Sequence, residues 1–325
     1  MPSTNARPHQ SRHFCASQVA AAAGFLLLAG AVTSAQANID IVFDYSYDTG
    51  FFNSNPARKS LLEAAALSFE SRLTDSLTAI SSGGGNSFNA QFFDPTNPAA
   101  TITLNGFSVA ASEVRVFVGA SGLGGALGVG GPGGFGASGT LGFLDNASSR
   151  GQAGALGPAA SRTDFGPWGG SIGFDSGTSW YFDTDPATVE PFAGSFDFYS
   201  VAVHELGHVL GIGTQASWNN RISGMTFNGT AAGVQTLSTD LAHWAVGTMS
   251  FAGVNAQEAA MSPSIDTNER KYFTTLDFAG MTDIGWQVSA VPEPAAWLMW
   301  GAGGAMLVGL RRRRARASSQ GCAGA

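Results

Sequence analysis

Apolar positions along this 325-residue chain fall into two rhythms, and each change of rhythm marks an element. Leu62, Ala66, Phe69, Leu73, Leu77 and Ile80 recur at three- and four-residue spacing and predict a helix over 57–80 with one buried face. Ile39 to Phe43, rich in β-branched residues, predicts a first strand. Further strands are predicted at Thr101 to Leu104, Glu113 to Val118, Gly170 to Phe174 and Ser179 to Phe182, bounded by Gly, Ser and Asp. The apolar stretch Phe196 to Val203 reads as the first turns of a second helix that runs on into His204, and Thr275 to Trp286 as a short closing helix.

Between Gly119 and Gly142 half of the residues are glycine. Gly128-Val129-Gly130-Gly131-Pro132-Gly133 has the spacing of a dinucleotide-binding loop, but the following Pro-Gly-Gly-Phe-Gly cannot open the helix that this fingerprint requires. The stretch therefore reads as a mobile surface loop.

Both ends carry patterns of processing rather than of folding. A leader with Arg7, His9, Arg12 and His13 precedes an apolar run, Val19 to Val32, and a small-x-small site, Ala35-Gln36-Ala37. Residues 1–37 read as a secretory signal peptide. At the other end, Pro292-Glu293-Pro294 precedes the apolar run Ala295 to Leu310 and the block Arg311 to Arg314. Residues 291–325 resemble the PEP-CTERM sorting signal of Gram-negative bacteria. That resemblance implies transient insertion of a short transmembrane helix in the inner membrane, cleavage by an exosortase-type enzyme, and release to the cell surface or extracellular matrix. A plain C-terminal anchor is the alternative. The expected mature domain, 38–290, lacks both cysteines (Cys15 and Cys322) and so has no disulfide. Between Asn38 and Pro292, 9 basic side chains face 22 acidic ones, a net charge of −13, which argues against nucleic acid as a partner.

The chemistry is concentrated at His204-Glu205-Leu206-Gly207-His208. Two histidines four apart on a helix differ by about 40° in azimuth and project from one face. They can share one Zn²⁺ at roughly 2.0–2.1 Å. Glu205 flanks that metal, placed to take a proton from water there rather than to ligate. This is the His-Glu-x-x-His signature of zinc-dependent peptidases. Catalytic zinc usually takes three protein ligands. In the metzincin pattern the third is a histidine three positions after the glycine, but here Thr214 stands there. With His9 and His13 in the leader, a third histidine can only be His243. Glu258 is the alternative ligand, giving two histidines and a carboxylate. Glu258-Ala259-Ala260-Met261-Ser262-Pro263-Ser264 resembles the metzincin Met-turn, with Met261 beneath the metal. Asp183 and Asp185 could offer oxygens to a structural Ca²⁺, an Asx turn before Pro186 being the plainer reading.

This order of features resembles the leishmanolysin-like branch of the metzincins, in which an insertion separates the glycine from the third histidine. The resemblance covers roughly Ser195 to Trp286. It implies an α+β fold: a twisted, five-stranded mixed sheet with a backing helix and the active-site helix, above an irregular lower lobe with the Met-turn and a C-terminal helix. It also implies a secreted zinc endopeptidase with Glu205 as catalytic base, His204, His208 and His243 as metal ligands, and protein or peptide substrates. A matrix or adhesion protein that keeps a non-catalytic zinc site, and a non-peptide hydrolase, are the competing expectations.

Overall fold

The computed structural model describes residues 39–183, 185–188 and 190–290. The candidate signal peptide and sorting tail lie outside them. Among the described residues no helix is long and apolar enough to cross a membrane.

The first part of the domain contains β1 (Asp40–Asp44), α1 (Pro56–Glu70), β2 (Ser87–Asp94), β3 (Asn97–Leu104), β4 (Glu113–Ser121), β5 (Gly128–Pro132) and β6 (Gly134–Ser138). Then come α2 (Leu141–Ser149), β7 (Gly169–Asp175), the two-residue strands β8 (Trp180–Tyr181) and β9 (Phe196–Asp197), and α3 (Phe198–Val209). Four strands form the sheet that carries the site, in the order β1-β4-β7-β5. β1, β4 and β7 are parallel, and β5 runs antiparallel at the edge.

Parallel strands are covered on both faces, and β4 shows how. Val114, Val116 and Val118 face one cluster with Phe69 of α1 and Val203 and Leu206 of α3. Phe117, one residue out of step, faces a second cluster with Phe88 and Phe92 of β2 and Trp168. Phe92 and Phe117 stack there at 4.1 Å between centroids. The buried Arg150 ties these layers together by donating to the carbonyls of Thr78, Ala110, Glu113 and Pro167.

Several expectations need correction. The helix expected over 57–80 ends at Glu70, and Leu73, Leu77 and Ile80 are buried in extended chain instead. Leu73 bridges Val288 and Ile80 bridges Val109, so cross-chain pairing took over a stretch whose spacing also suits a helix. Phe196 and Asp197 are not helical; they pair with β8, and the Asp197 carboxylate caps α3 by accepting from the Ser200 N–H. Only Trp180–Tyr181 of the expected strand 179–182 is extended in a ladder. Among the described residues the mixed sheet has four strands rather than five.

The glycine-rich stretch is the largest correction. Read as a surface loop, it contains β5, paired over five residues with β7, and β6, paired with β2. Glycine is there because β5 lies against α3. A Cβ at Gly128 would sit 2.6 Å from Glu205 Oε1, and one at Gly130 would sit 2.5 Å from the Glu205 carbonyl oxygen. Only a strand without side chains on that face can pass so close.

Beyond α3 the chain has little regular structure: α4 (Ala216–Asn219), the ribbon β10 (Ile222–Ser223), β11 (Thr226–Asn228) and β12 (Val234–Thr236), the hairpin β13 (Met249–Ala252) and β14 (Asn255–Glu258), and α5 (Thr275–Asp283). The closing helix is as expected in place, though it ends three residues before Trp286.

Candidate metal centre

α3 carries His204, Glu205 and His208 with its apolar side set in the core: Phe198, Ala202, Val203, Leu206 and Val209 are fully buried. The helix stops at Val209. Gly211 and Gly213, both at positive φ, then turn the chain away. A Cβ at Gly213 would lie 2.9 Å from the Ala242 Cα, so this turn also lets the returning segment close on the helix.

That return brings His243 to the helix. The three Nε2 atoms stand 3.2 Å apart for His204 and His243, 3.1 Å for His204 and His208, and 3.0 Å for His208 and His243. The opposite nitrogens decide what this triangle means. His204 Nδ1 is 2.8 Å from the Ala260 carbonyl oxygen, His208 Nδ1 is 2.9 Å from that of Ile212, and His243 Nδ1 is 2.8 Å from Asp240 Oδ2. Carbonyl and carboxylate oxygens only accept, so each Nδ1 carries the hydrogen. Burial pushes the pKa of His204 well down and that of His208 to about 4, with the neighbouring histidines adding to both shifts. These two rings are therefore neutral, with bare Nε2 lone pairs. Two such lone pairs, aimed at each other and at His243 Nε2, are repulsive unless a cation sits among them. Tetrahedral ligands at 2.0–2.1 Å from zinc lie about 3.3 Å apart, close to the spacing seen. The donor set fits Zn²⁺.

Residues 143–240 match the family model described as Matrixin. That match supports a metzincin-type metallopeptidase. A stretch of 63 residues is also 43% identical to Metalloendoproteinase 1 of Glycine max, covering 19% of this chain and 19% of that protein. The chain thus matches about a fifth of the length of this curated relative. No solved structure matches the chain. The family match includes His204 to His208 and ends three residues short of His243, so the third histidine rests on the geometry above.

Glu205 is buried beside the histidines and shares with them a cleft of about 710 Å³ under β5. Burial raises its carboxyl pKa to about 8, opposed by a hydrogen bond from the Gly130 backbone. Glu258 does not join the histidines. Its carboxylate accepts from Lys271 Nζ at 2.6 Å, from Ser262 Oγ at 2.8 Å and from the Gly247 N–H, and the alternative ligand set is set aside. Asp183 is likewise engaged elsewhere: Arg270 reaches it at 2.6 Å and Asp197 at 2.6 Å. Asp185 accepts from the Ala187 N–H, an Asx turn. Neither aspartate supports the Ca²⁺ expectation.

Met261 is fully buried against the helix, and a Cβ at Gly207 would come 2.5 Å from its sulfur. It belongs to a turn closed by Ser262 N–H donating to the Ala259 carbonyl, and Ala260 in this turn supplies the acceptor for His204.

Two residues were missed in the sequence. Asp240 orients His243 through the 2.8 Å contact, and hydrogen bonds from the Ala242 N–H, the Ser238 hydroxyl and His243 hold its carboxylate near pKa 2 against the cost of burial. Asp277 of α5 is completely buried and accepts from Trp244 Nε1 and from the Ala260, Met261 and Thr274 N–H groups. Asp240, three residues before a candidate ligand, was visible as a histidine partner. Asp277 gave only one sign: it stands three residues after Thr274 in a capping box.

Proposed function

We propose that this chain is an exported zinc-dependent endopeptidase of the metzincin type, with the third histidine displaced by an insertion as in the leishmanolysin-like branch. The observation that carries this reading is the convergence of the three Nε2 atoms of His204, His208 and His243 beside a buried carboxylate in one cleft. The 35-residue offset between His208 and His243 supports the branch. The leader and tail patterns support export, processing by signal peptidase and an exosortase-type enzyme, and sorting to the surface of a Gram-negative cell.

His204, His208 and His243 would hold the metal, with Met261 in the supporting turn. Bound there, Zn²⁺ would acidify a water and polarise the scissile carbonyl. Glu205, buried beside the three histidines, would serve as the base that accepts a proton from the attacking water and passes it to the leaving amine. The edge of β5 opposite β7 is unpaired among the described residues, and an extended peptide can add to it as a further strand. Gly128 and Gly130 let this edge strand pass close to Glu205, so a peptide paired with it would run beside the carboxylate.

Glu205→Ala tests the reading. The variant should keep its zinc and lose turnover of casein or gelatin by about 10²–10⁴. Cleavage at the wild-type rate would overturn the mechanism. Chelator-insensitive retention of a matrix-binding role with no hydrolysis would favour the adhesion alternative.

A further inference from the structure

Thr214 lines both the metal cleft and a second hollow of about 460 Å³. The hollow lies beside Pro132 and Gly133, at the far end of β5. Gly130 sits over Glu205, and Pro132 and Gly133 are two and three residues further along. At about 3.3 Å per residue, a peptide paired with β5 would bring a side chain two or three residues from the scissile bond into this second hollow.

Arg162 lines it, and the structure holds this residue in place. Its carbonyl accepts from Asn220 Nδ2 at 2.8 Å, and its Nε donates to the Gly157 carbonyl at 3.1 Å. The two terminal amino groups have no partner among the described residues. Asp164, the carboxylate that lines the same hollow, is turned to its own backbone: Oδ1 accepts from the Phe165 N–H at 2.6 Å and forms no pair with Arg162. A guanidinium anchored through Nε presents its remaining donors as a fork that matches a carboxylate.

We propose that the second hollow is a specificity subsite in which Arg162 binds an aspartate or glutamate side chain of the substrate, two or three residues from the scissile bond and on one side of it only. This rests on the peptidase reading of the metal centre and adds a selectivity that the metal and its base do not provide. It also marks one fixed cation in a domain where acidic groups outnumber basic ones more than two to one.

The zinc-loaded protein is tested by digesting a mixed peptide library and reading the cleavage sites by mass spectrometry. Acidic residues should be enriched at that position. The enrichment should vanish in Arg162→Gln and turn to lysine and arginine in Arg162→Glu, and matched Glu and Gln peptides should differ about tenfold in kcat/KM in the wild type alone. Robust cleavage with no acidic enrichment, or enrichment unchanged in Arg162→Gln, overturns the subsite and leaves the peptidase reading intact. Absence of any cleavage counts against the peptidase reading instead. The subsite is then decided by capture of the same library on zinc-loaded Glu205→Ala: acidic peptides retained by it and lost from Glu205→Ala/Arg162→Gln support the assignment, and equal retention refutes it.

Discussion

The two halves of the metal centre are built by different means. His204, Glu205 and His208 lie on one helix, and their arrangement follows from the helical period once the apolar side of α3 is buried. His243 arrives on an irregular segment, steadied by Asp240, while the turn around Met261 hangs on the buried Asp277. One half is held by apolar packing and local geometry. The other is held by two carboxylates: Asp240 takes its donors from its own turn, and Asp277 reaches donors 16 to 33 residues away. A helix can place two ligands by itself; placing the third takes a polar network.

Glu205→Ala, with its loss of about 10²–10⁴ in turnover, strikes the helical half without disturbing its metal. The largest structural effect is expected in the other half. Asp277→Ala leaves Trp244 Nε1 and three backbone N–H groups without their acceptor. It should destabilise the fold by about 3–5 kcal/mol in denaturant unfolding, with zinc lost from the protein that remains folded. A loss below 1 kcal/mol would show that the turn stands without it. Asp240→Ala is milder, because His243 stays in place and loses only its orienting partner. A 10–100-fold weaker zinc affinity by competition with a chromophoric chelator is the expected result. Equal affinity would place His243 outside the set of ligands.

The smallest effect lies away from the site. Burial holds the Asp75 carboxyl at about 6 against an ordinary 3.8, although it accepts a hydrogen bond from the Gln287 N–H. The folded protein therefore binds this proton more tightly than the unfolded chain. The stability this gives is complete below about pH 4 and lost as the pH rises through 6. Asp75→Asn should gain on the wild type by about 2 kcal/mol between pH 4 and pH 8, read from denaturation midpoints at both ends. A gap that does not change with pH would refute the shift.

Most of the helical half was legible in the sequence, because a period of 3.6 and a pair of histidines four apart need no distant information. His243 was reachable through the scarcity of histidine. The Arg270 clamp on Asp183 and Asp197, which seats the start of α3, was not, since ion pairs across 73 and 87 residues leave no periodic trace. β5 was hidden for another reason. Strand signals come from side chains, and Gly128 and Gly130 are glycine because side chains would collide with Glu205. Leu73, Leu77 and Ile80 misled in the opposite sense, since burial alone kept a helical spacing in extended chain.

The central claim is that three imidazoles from these two halves share one zinc ion. X-ray diffraction from zinc-loaded crystals at energies either side of the zinc absorption edge tests it most directly. The account predicts a single anomalous peak within about 2.1 Å of Nε2 of His204, His208 and His243 alike. A peak bound to His204 and His208 with His243 turned away, or no peak at the triangle at all, would contradict it.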